Sequence, residues 1–287
     1  MSSKQNTAAR ARLTLARGAC YLLLTLLTFL CLLWFYALIV NSTRSHPEIQ
    51  QGFNFLPGGS FAYNLNNLLN NKNLPVLTGI RNSLFVSACT ALLATYFSAL
   101  TAYAIHAYNF RFKKAAFTFI LMVMMIPTQV TALGFVRMMG QVGLSDSFIP
   151  LILPSIASPI VFFFMKQYME AMLPVEIVEA ARIDGSNEFA TFNRIVLPIM
   201  KPAMAVQGIF TFVSSWNNYF LPALLLKSSA KKTLPILIAQ LRSADFLKFD
   251  MGQVYMLITI SIVPIIIIYL LLSKYIVRGV TLGSVKG

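Results

Sequence analysis

Long uncharged stretches dominate this sequence and limit the folds open to it. The clearest one, residues 20–40, contains no Asp, Glu, Lys or Arg. A helix that crosses the hydrocarbon layer of a membrane needs about 20 mostly apolar residues. Inside lipid every backbone polar group must also be satisfied within the protein, which a continuous helix achieves. The sequence therefore predicts an all-α integral membrane protein.

Six transmembrane helices are predicted. The first run is longer than the apolar core of a signal peptide, about 7–15 residues, so we expect it to remain as an anchor. The fourth run contains Pro150, Pro154 and Pro159 and is expected to be kinked or broken. Residues 1–19 form a predicted cytoplasmic tail before a single transmembrane domain, residues 20–287. The predicted spans are 20–40, 82–107, 115–138, 148–165, 202–226 and 251–273.

The charge distribution predicts the orientation of these spans. The net charge is +14, but only 11% of the residues are charged, and the basic ones flank the apolar runs. This placement indicates contact with anionic membrane lipid and no nucleic-acid partner. Of the 23 basic residues, 14 fall on the side of the N-terminus and 9 on the opposite side. The excess of positive charge predicts that both termini are cytoplasmic, although the basic loop 227–248 on the other side opposes it.

No motif for catalysis or nucleotide binding occurs in the sequence. Phosphate-binding glycine loops and the H-E-x-x-H zinc motif are absent. The two histidines lie far apart, and the three cysteines lie inside apolar runs, which argues against a metal site. We therefore expect no catalytic residue, no metal and no cofactor in this chain. If ATP is used, another chain must bind it.

Two predicted helices have distinctive faces. The second carries a narrow stripe of small residues, which predicts a surface for close helix packing. The fifth carries polar residues at helical spacing, with Trp216 and Phe220 on nearly the opposite side. We interpret that polar stripe as the lining of a translocation path, and the alternative is that it bonds to a neighbouring helix. The small stripe is Ser83, Ser87, Thr90, Ala94, Ser98 and Thr101, and the polar stripe is Gln207, Thr211, Ser214 and Asn218.

The predicted cytoplasmic segment between the fourth and fifth spans is unusually acidic. Five of the nine acidic residues lie between Glu170 and Glu188. The pattern predicts a short helix after Pro174, ended by Gly185 with a positive φ, and a second helix over 187–195 that stops at Leu197–Pro198.

This segment has the character of a protein-docking element. Ala180 and Ala181 offer a surface with little side chain, and Glu179 and Asp184 offer charge. The alternative, an amphipathic helix lying on lipid, is less favoured because the cytoplasmic leaflet is itself negative.

The same segment resembles the EAA loop of ABC importer permeases. The matching pattern is Glu179-Ala180-Ala181, three residues, Gly185, nine residues, Ile195, one residue and Leu197-Pro198. Further similarity to the maltose-type, carbohydrate branch lies in other motifs along the chain. These are Asn82-Ser83-Leu84, Pro127-x-Gln129-Val130, Trp216-Asn217-Asn218 and the tail from Arg278-Gly279 to Val285-Lys286-Gly287.

The resemblance implies a permease subunit of a bacterial inner-membrane importer for an oligosaccharide. It implies a heterodimer with a second permease, two ATPase subunits that bind ATP and Mg²⁺, and an extracytoplasmic sugar-binding protein. The loop at about 171–200 would then be a coupling helix docked on an ATPase, and this chain would catalyse nothing. The coupling residues implied are Glu179, Ala180, Ala181, Asp184, Gly185, Ile195, Leu197 and Pro198.

Two other functions stay open at this point. One is an ABC permease for a substrate other than sugar. The other is an ion-coupled secondary transporter, which usually places ionisable groups near the membrane midplane. The predicted spans hold almost none, since His106 and Arg137 lie close to predicted ends.

Overall fold

The computed structural model describes residues 2–71, 73–243 and 249–283, with side chains over 14–71, 73–243 and 249–274. All the regular elements in these ranges are helices. The end of the basic loop, at 244–248, and the tail motif Val285-Lys286-Gly287 lie outside the described residues, as does the side chain of Arg278. The chain divides into two compact units, one of residues 1–70 and 244–260 and one of residues 71–243 and 261–287.

The first unit is organised around a buried asparagine. Asn64 donates from Nδ2 to the backbone oxygens of Ser42 and Arg44, at 2.9 Å each. A Cβ at Gly252 would lie 2.7 to 2.9 Å from the amide of Asn64, so this close approach requires glycine. The helices of the unit are α1 (Ser2–Ser42), α2 (His46–Gln50), α3 (Phe61–Leu69) and the beginning of α14 (Met251–Gly283).

In the second unit, one long helix forms the centre. Helix α4 (Val76–Ala107) is contacted by the helices of the fourth and fifth spans. The predicted small-residue stripe on α4 is its packing face, because every member except Thr101 is buried. Small side chains there let neighbouring backbones approach closely. The other helices of the unit are α5 (Lys113–Met124), α6 (Thr128–Gln141), α7 (Ile149–Ile152), α8 (Pro159–Met172), α9 (Val175–Ile183), α10 (Glu188–Thr191), α11 (Leu197–Trp216), α12 (Phe220–Leu225) and α13 (Leu234–Arg242).

The membrane class predicted from the sequence is confirmed. Within the described residues, five helices are long and apolar enough to cross a membrane, or six if one bent pair counts as a span. The predicted third span, 115–138, was wrong as a continuous helix, because α5 and α6 meet at 93°. Pro127 lies at this bend, where it disfavours the helical conformation of the residue before it.

Prolines act differently in the next two spans. The fourth is broken as predicted, with a 3₁₀ segment at Leu153–Ala157 and an extended Ser158 between α7 and α8. The fifth does not begin at 202, because the apolar helix runs unbroken from Glu188 to Trp216. The predicted stop at Leu197–Pro198 was therefore wrong. A π-helical turn at Phe192–Val196 comes directly before Pro198 and widens the helix, which removes the clash that a proline would otherwise cause.

Near the start of α4, hydrogen bonds join two loops to each other and to the helix. Asp146 has a positive φ of 57° and accepts from the backbone N–H groups of Lys227 and Ser228, at 2.8 and 3.1 Å. Asn82 donates to the backbone oxygens of Ala230 and Lys232 at 2.9 and 3.0 Å. The segment 226–243 is therefore held firmly at this end of α4, and its helix α13 buries apolar side chains.

Candidate functional site

The acidic loop folds as the short helix α9 and, after a sharp corner, α10, which is the first turn of the helical run that continues into α11. The N–H of Ser186 donates to the oxygen of Ala181, and the N–H of Gly185 to that of Arg182, at 2.9 and 3.0 Å. These two bonds are the Schellman arrangement, which needs a left-handed residue after the helix. Gly185 has a φ of +78°, which confirms the prediction. Asn187 then caps α10, since its Oδ1 accepts from the N–H of Ala190 at 2.8 Å.

The eight residues singled out in the loop do not share one surface. Glu179, Ala180, Asp184 and Gly185 are exposed at or near the corner. Ala181 is only 5% exposed, so the expectation that both alanines face a partner was wrong. Successive helical residues point about 100° apart, and the second alanine turns toward the interior of this chain.

The other three residues of the motif lie elsewhere. Ile195 is in the π-helical turn, and Leu197 and Pro198 begin α11. Leu197 packs against the buried core around α4. This part of the motif therefore shapes the connection between the loop and the membrane helix, rather than the exposed corner.

Two apolar side chains beside the corner were not predicted from the sequence. Ile183 is 87% exposed and Phe189 is 70% exposed, on either side of Gly185. Together with the charged residues beside them, these side chains make the corner a candidate protein contact surface. Their positions flanking the turn glycine were the signal that could have identified them.

The predicted polar stripe lines a single cleft. Gln207, Thr211, Ser214 and Asn218 all border a space of about 320 Å³. Asn218 lies just beyond the end of α11 and not on the helix, but it still faces this cleft. The opposite wall comes from the broken fourth span and from α4. Its lining residues are Thr90, Leu151, Ser158, Ile160 and Val161.

The chemistry of the cleft is neutral and polar. Its lining residues include hydroxyl and amide side chains but no charged one. Thr90 is only 9% exposed, and its Oγ1 has no hydrogen-bond partner within the described residues. A buried hydroxyl of this kind is costly unless something satisfies it. From the sequence, Thr90 was predicted only as part of the packing stripe, and Phe210, an exposed ring at the same cleft, was not predicted at all.

Trp216 lies away from the cleft. It is buried, it stacks on Phe212 with 20° between the ring planes, and its Nε1 donates to the backbone oxygen of Ser261 at 3.2 Å. The tryptophan thus packs against protein, as expected of the face opposite the stripe. Phe220 belongs to α12, so its direction does not follow from the periodicity of α11.

The alternative reading of the stripe was interhelical bonding. Across the part of the chain with described side chains, none of the four polar side chains makes a hydrogen bond to a neighbouring helix. Their hydrogen-bonding groups are therefore available to whatever enters the cleft.

Comparison with known proteins agrees with this architecture. The chain is 37% identical over 209 residues to the arabinooligosaccharides transport system permease protein AraQ of Bacillus subtilis, covering 72% of each chain. It is 27% identical over 266 residues to the lactose transport system permease protein LacG of Rhizobium radiobacter, covering 93% of this chain and 95% of that one.

A solved structure shares the fold. It is the crystal structure of a bacterial ABC transporter involved in the import of the acidic polysaccharide alginate. One of its chains matches with a TM-score of 0.77 and 23% identity over 90% of this chain and 95% of that one.

A family model matches residues 94–282, which contain the loop corner, the second half of α4 and all of α8 and α11. This family excludes the ion-coupled secondary transporter that the sequence left open. The chain belongs to the family of binding-protein-dependent transport system inner membrane components.

Proposed function

We propose that this protein is a permease subunit of an ATP-driven importer for a neutral oligosaccharide, and that the cleft beside α11 is part of the sugar's path. The observation that carries the proposal is the convergence of Gln207, Thr211, Ser214 and Asn218 on one uncharged cleft. Hydroxyl and amide side chains both donate and accept hydrogen bonds, as sugar hydroxyls require.

The unsatisfied hydroxyl of Thr90 and the ring of Phe210 support the same substrate class. A sugar offers hydroxyl groups to the first and an apolar ring face to the second. Ser158 lies where the fourth span is broken, and irregular backbone at membrane depth is tolerated where it lines a cavity. AraQ and LacG are permeases named for arabinooligosaccharides and lactose, which favours a carbohydrate for this chain as well.

The exposed corner at Gly185 is the proposed docking site for an ATPase subunit. Glu179 and Asp184 supply negative charge there, and Ile183 and Phe189 supply apolar area. A helix ended by a Schellman turn is a stiff projection suited to a cleft in a partner. ATP and Mg²⁺ would be held by two such ATPase subunits, and this chain would hydrolyse nothing.

The remaining partners in the proposal are a second, different permease and an extracytoplasmic sugar-binding protein. The loop corner would face the cytoplasm together with both termini, in keeping with the basic excess on that side. The segment 226–243 would then lie outside, at the mouth that receives the binding protein. Protease access to the acidic loop only in inside-out vesicles would agree with this orientation.

Reconstitution tests the proposed function. The full-length chain, purified with the subunits that accompany it and placed in liposomes, should import a neutral oligosaccharide only when ATP and a binding protein are present. The chain purified alone should show neither ATPase activity nor uptake. Uptake driven by an ion gradient without ATP, or ATP turnover by the isolated chain, would contradict the proposal. A uronic-acid oligosaccharide of equal length is the matched control and should be imported poorly.

The outer mouth gives a second prediction. Asp146→Ala should weaken binding-protein-stimulated uptake several-fold, because it removes the acceptor for Lys227 and Ser228 and places alanine at a positive φ. Asp146→Asn keeps a side-chain oxygen and tolerates that φ, so it should retain most of the activity. Limited proteolysis should cut the segment 226–233 faster in the alanine variant only. Equal proteolysis of both variants would show that Asp146 does not hold this segment in place.

The hydrogen bonds of Asp146 to Lys227 and Ser228 should not respond to pH in the physiological range. The backbone N–H of Ser228, with that of Lys227 and the charge of Lys231, lowers the pKa of Asp146 to about 2. A lowered pKa means that the interaction stabilises the fold above the ordinary value of 3.8 and is lost as pH falls through about 2.

A further inference from the structure

Four side chains from three separate elements meet behind the loop corner. Arg182 lies in the last turn of α9, and Glu188 is the first residue of α10. Tyr103 belongs to α4, and Tyr108 follows its last residue. No motif in the sequence singled out this cluster, since Tyr103 and Glu188 are 85 positions apart.

Glu188 joins the loop to the membrane helix through its two oxygens. Its Oε1 accepts from Nε of Arg182 at 2.7 Å, and its Oε2 accepts from the hydroxyl of Tyr103 at 2.7 Å. The guanidinium carbon of Arg182 also lies 4.9 Å from the centre of the Tyr108 ring, within the range of a cation–π contact.

The cluster joins the two sides of the loop corner to each other and to α4. Arg182 and Glu188 lie on either side of Gly185, so their ion pair closes the corner between the two short helices. The backbone bonds of the turn and the bond from the Thr191 hydroxyl to that of Ser186 also hold the corner, but neither involves a charged group. The hydroxyl of Tyr103 then fixes the closed corner to α4.

The packing around Tyr103 holds its side chain in a fixed position. Tyr103 is 3% exposed, and its ring lies 5.6 Å from that of the fully buried Phe192. His106, further along α4, makes a hydrogen bond of 2.9 Å between its Nε2 and the oxygen of Leu173, just before the loop. Apolar contacts hold surfaces together without fixing direction, whereas charge-assisted hydrogen bonds resist sliding because they are directional.

We propose that Arg182, Glu188 and Tyr103 form a positioning bracket that makes the loop corner and α4 move as one rigid body. The bracket rests on the proposed function, because it transmits to α4 a displacement that the ATPase applies at the exposed corner. Since α4 carries Thr90 into the cleft, this movement would reach the wall of the sugar path. The three residues are positioning residues and touch no substrate.

The test measures how many ATP molecules are hydrolysed for each sugar imported, in addition to the activity itself. In the reconstituted complex, Glu188→Gln and Tyr103→Phe should raise the number of ATP molecules hydrolysed per sugar imported by about fivefold or more. Sugar-stimulated ATPase activity and subunit assembly should stay, because the exposed corner is unchanged. Glu176→Gln is the matched control, since it is the same substitution on the same loop at an exposed glutamate that forms no ion pair in the described structure. It should leave the ratio unaltered.

A distance measurement distinguishes the transmission of movement from the loop corner to α4 from a general effect on the stability of the fold. Spin labels at Glu176→Cys and Ala104→Cys, in a background without the native cysteines, report the separation of the loop from α4. The distribution should be narrow with and without ATP, and Glu188→Gln should broaden it.

The outcomes separate the bracket from the function on which it rests. An unmodified complex that fails to couple ATP to sugar import would refute the proposed function itself. An unmodified complex that couples normally, with ratios and distances unchanged in Glu188→Gln and in Tyr103→Phe, would overturn the bracket. Should Glu188→Gln fail to assemble, Tyr103→Phe, which removes one hydroxyl group, decides the question alone.

Discussion

Gly185→Leu should abolish ATP-dependent uptake in the reconstituted complex while leaving the chain inserted in the membrane. The φ of +78° at this position disfavours any residue with a Cβ, at a cost of about 1–2 kcal/mol. Apart from the two adjacent residues, no atom of the described residues lies within 4 Å of the position that a Cβ would take, so the added side chain projects outward, into the proposed ATPase contact. We expect uptake and sugar-stimulated ATPase activity to fall at least tenfold together, measured in liposomes.

The structure supplies a matched control for that loss. Gly143 has a φ of +74° and the same open surroundings, but it lies outside the loop. Gly143→Leu therefore imposes a similar backbone strain and should keep the ATPase subunits bound during purification. Gly185→Asn, whose side chain tolerates a positive φ, should be intermediate. If Gly185→Leu assembles and transports like the unmodified protein, the corner is not the docking site.

Filling the cleft should block sugar uptake without dissociating the ATPase subunits from the complex. Thr211→Trp places a large ring in a space of about 320 Å³ and should reduce uptake at least tenfold, while ATPase subunits remain bound. Thr28→Trp makes the same substitution at an exposed position on α1, where the threonine hydroxyl donates to the backbone oxygen of Leu24 in the same helix. That control should import sugar normally.

Chemical labelling maps the same path residue by residue. Single cysteines at positions 207, 211, 214 and 218 should react with a water-soluble thiol reagent, and added sugar should protect them. A cysteine at the buried position 216 should react slowly. Reaction that follows positions 216 and 220, with no protection by sugar, would show that the path lies on the other side of α11.

The sequence alone determined the membrane class, the packing stripe of α4 and the turn at Gly185. These follow from local properties of the chain. An apolar run of about 20 residues has few alternatives to a membrane helix. Periodicity places side chains on a common helix face. A glycine after a short helix supplies the left-handed conformation that ends it.

The effect of each proline was decided by its surroundings. Pro127 separates two helices at 93°, while Pro198 lies within a continuous helical run because a π-helical turn precedes it. A proline inside a helix removes one backbone hydrogen bond. Whether the helix then breaks or widens depends on how the neighbouring backbone is packed, and the order of residues does not contain that information.

Only the tertiary structure brought together the parts of the site that are distant in sequence. Ala181 is buried because of what packs on α9, although the motif treats both alanines alike. Thr90 and Phe210 line the cleft, and Tyr103 reaches Glu188, through contacts between different helices. Helical periodicity predicts which residues share a face, but long-range packing decides which other helix that face contacts. For this reason the polar stripe was predictable from sequence, and the bracket behind the loop corner was not.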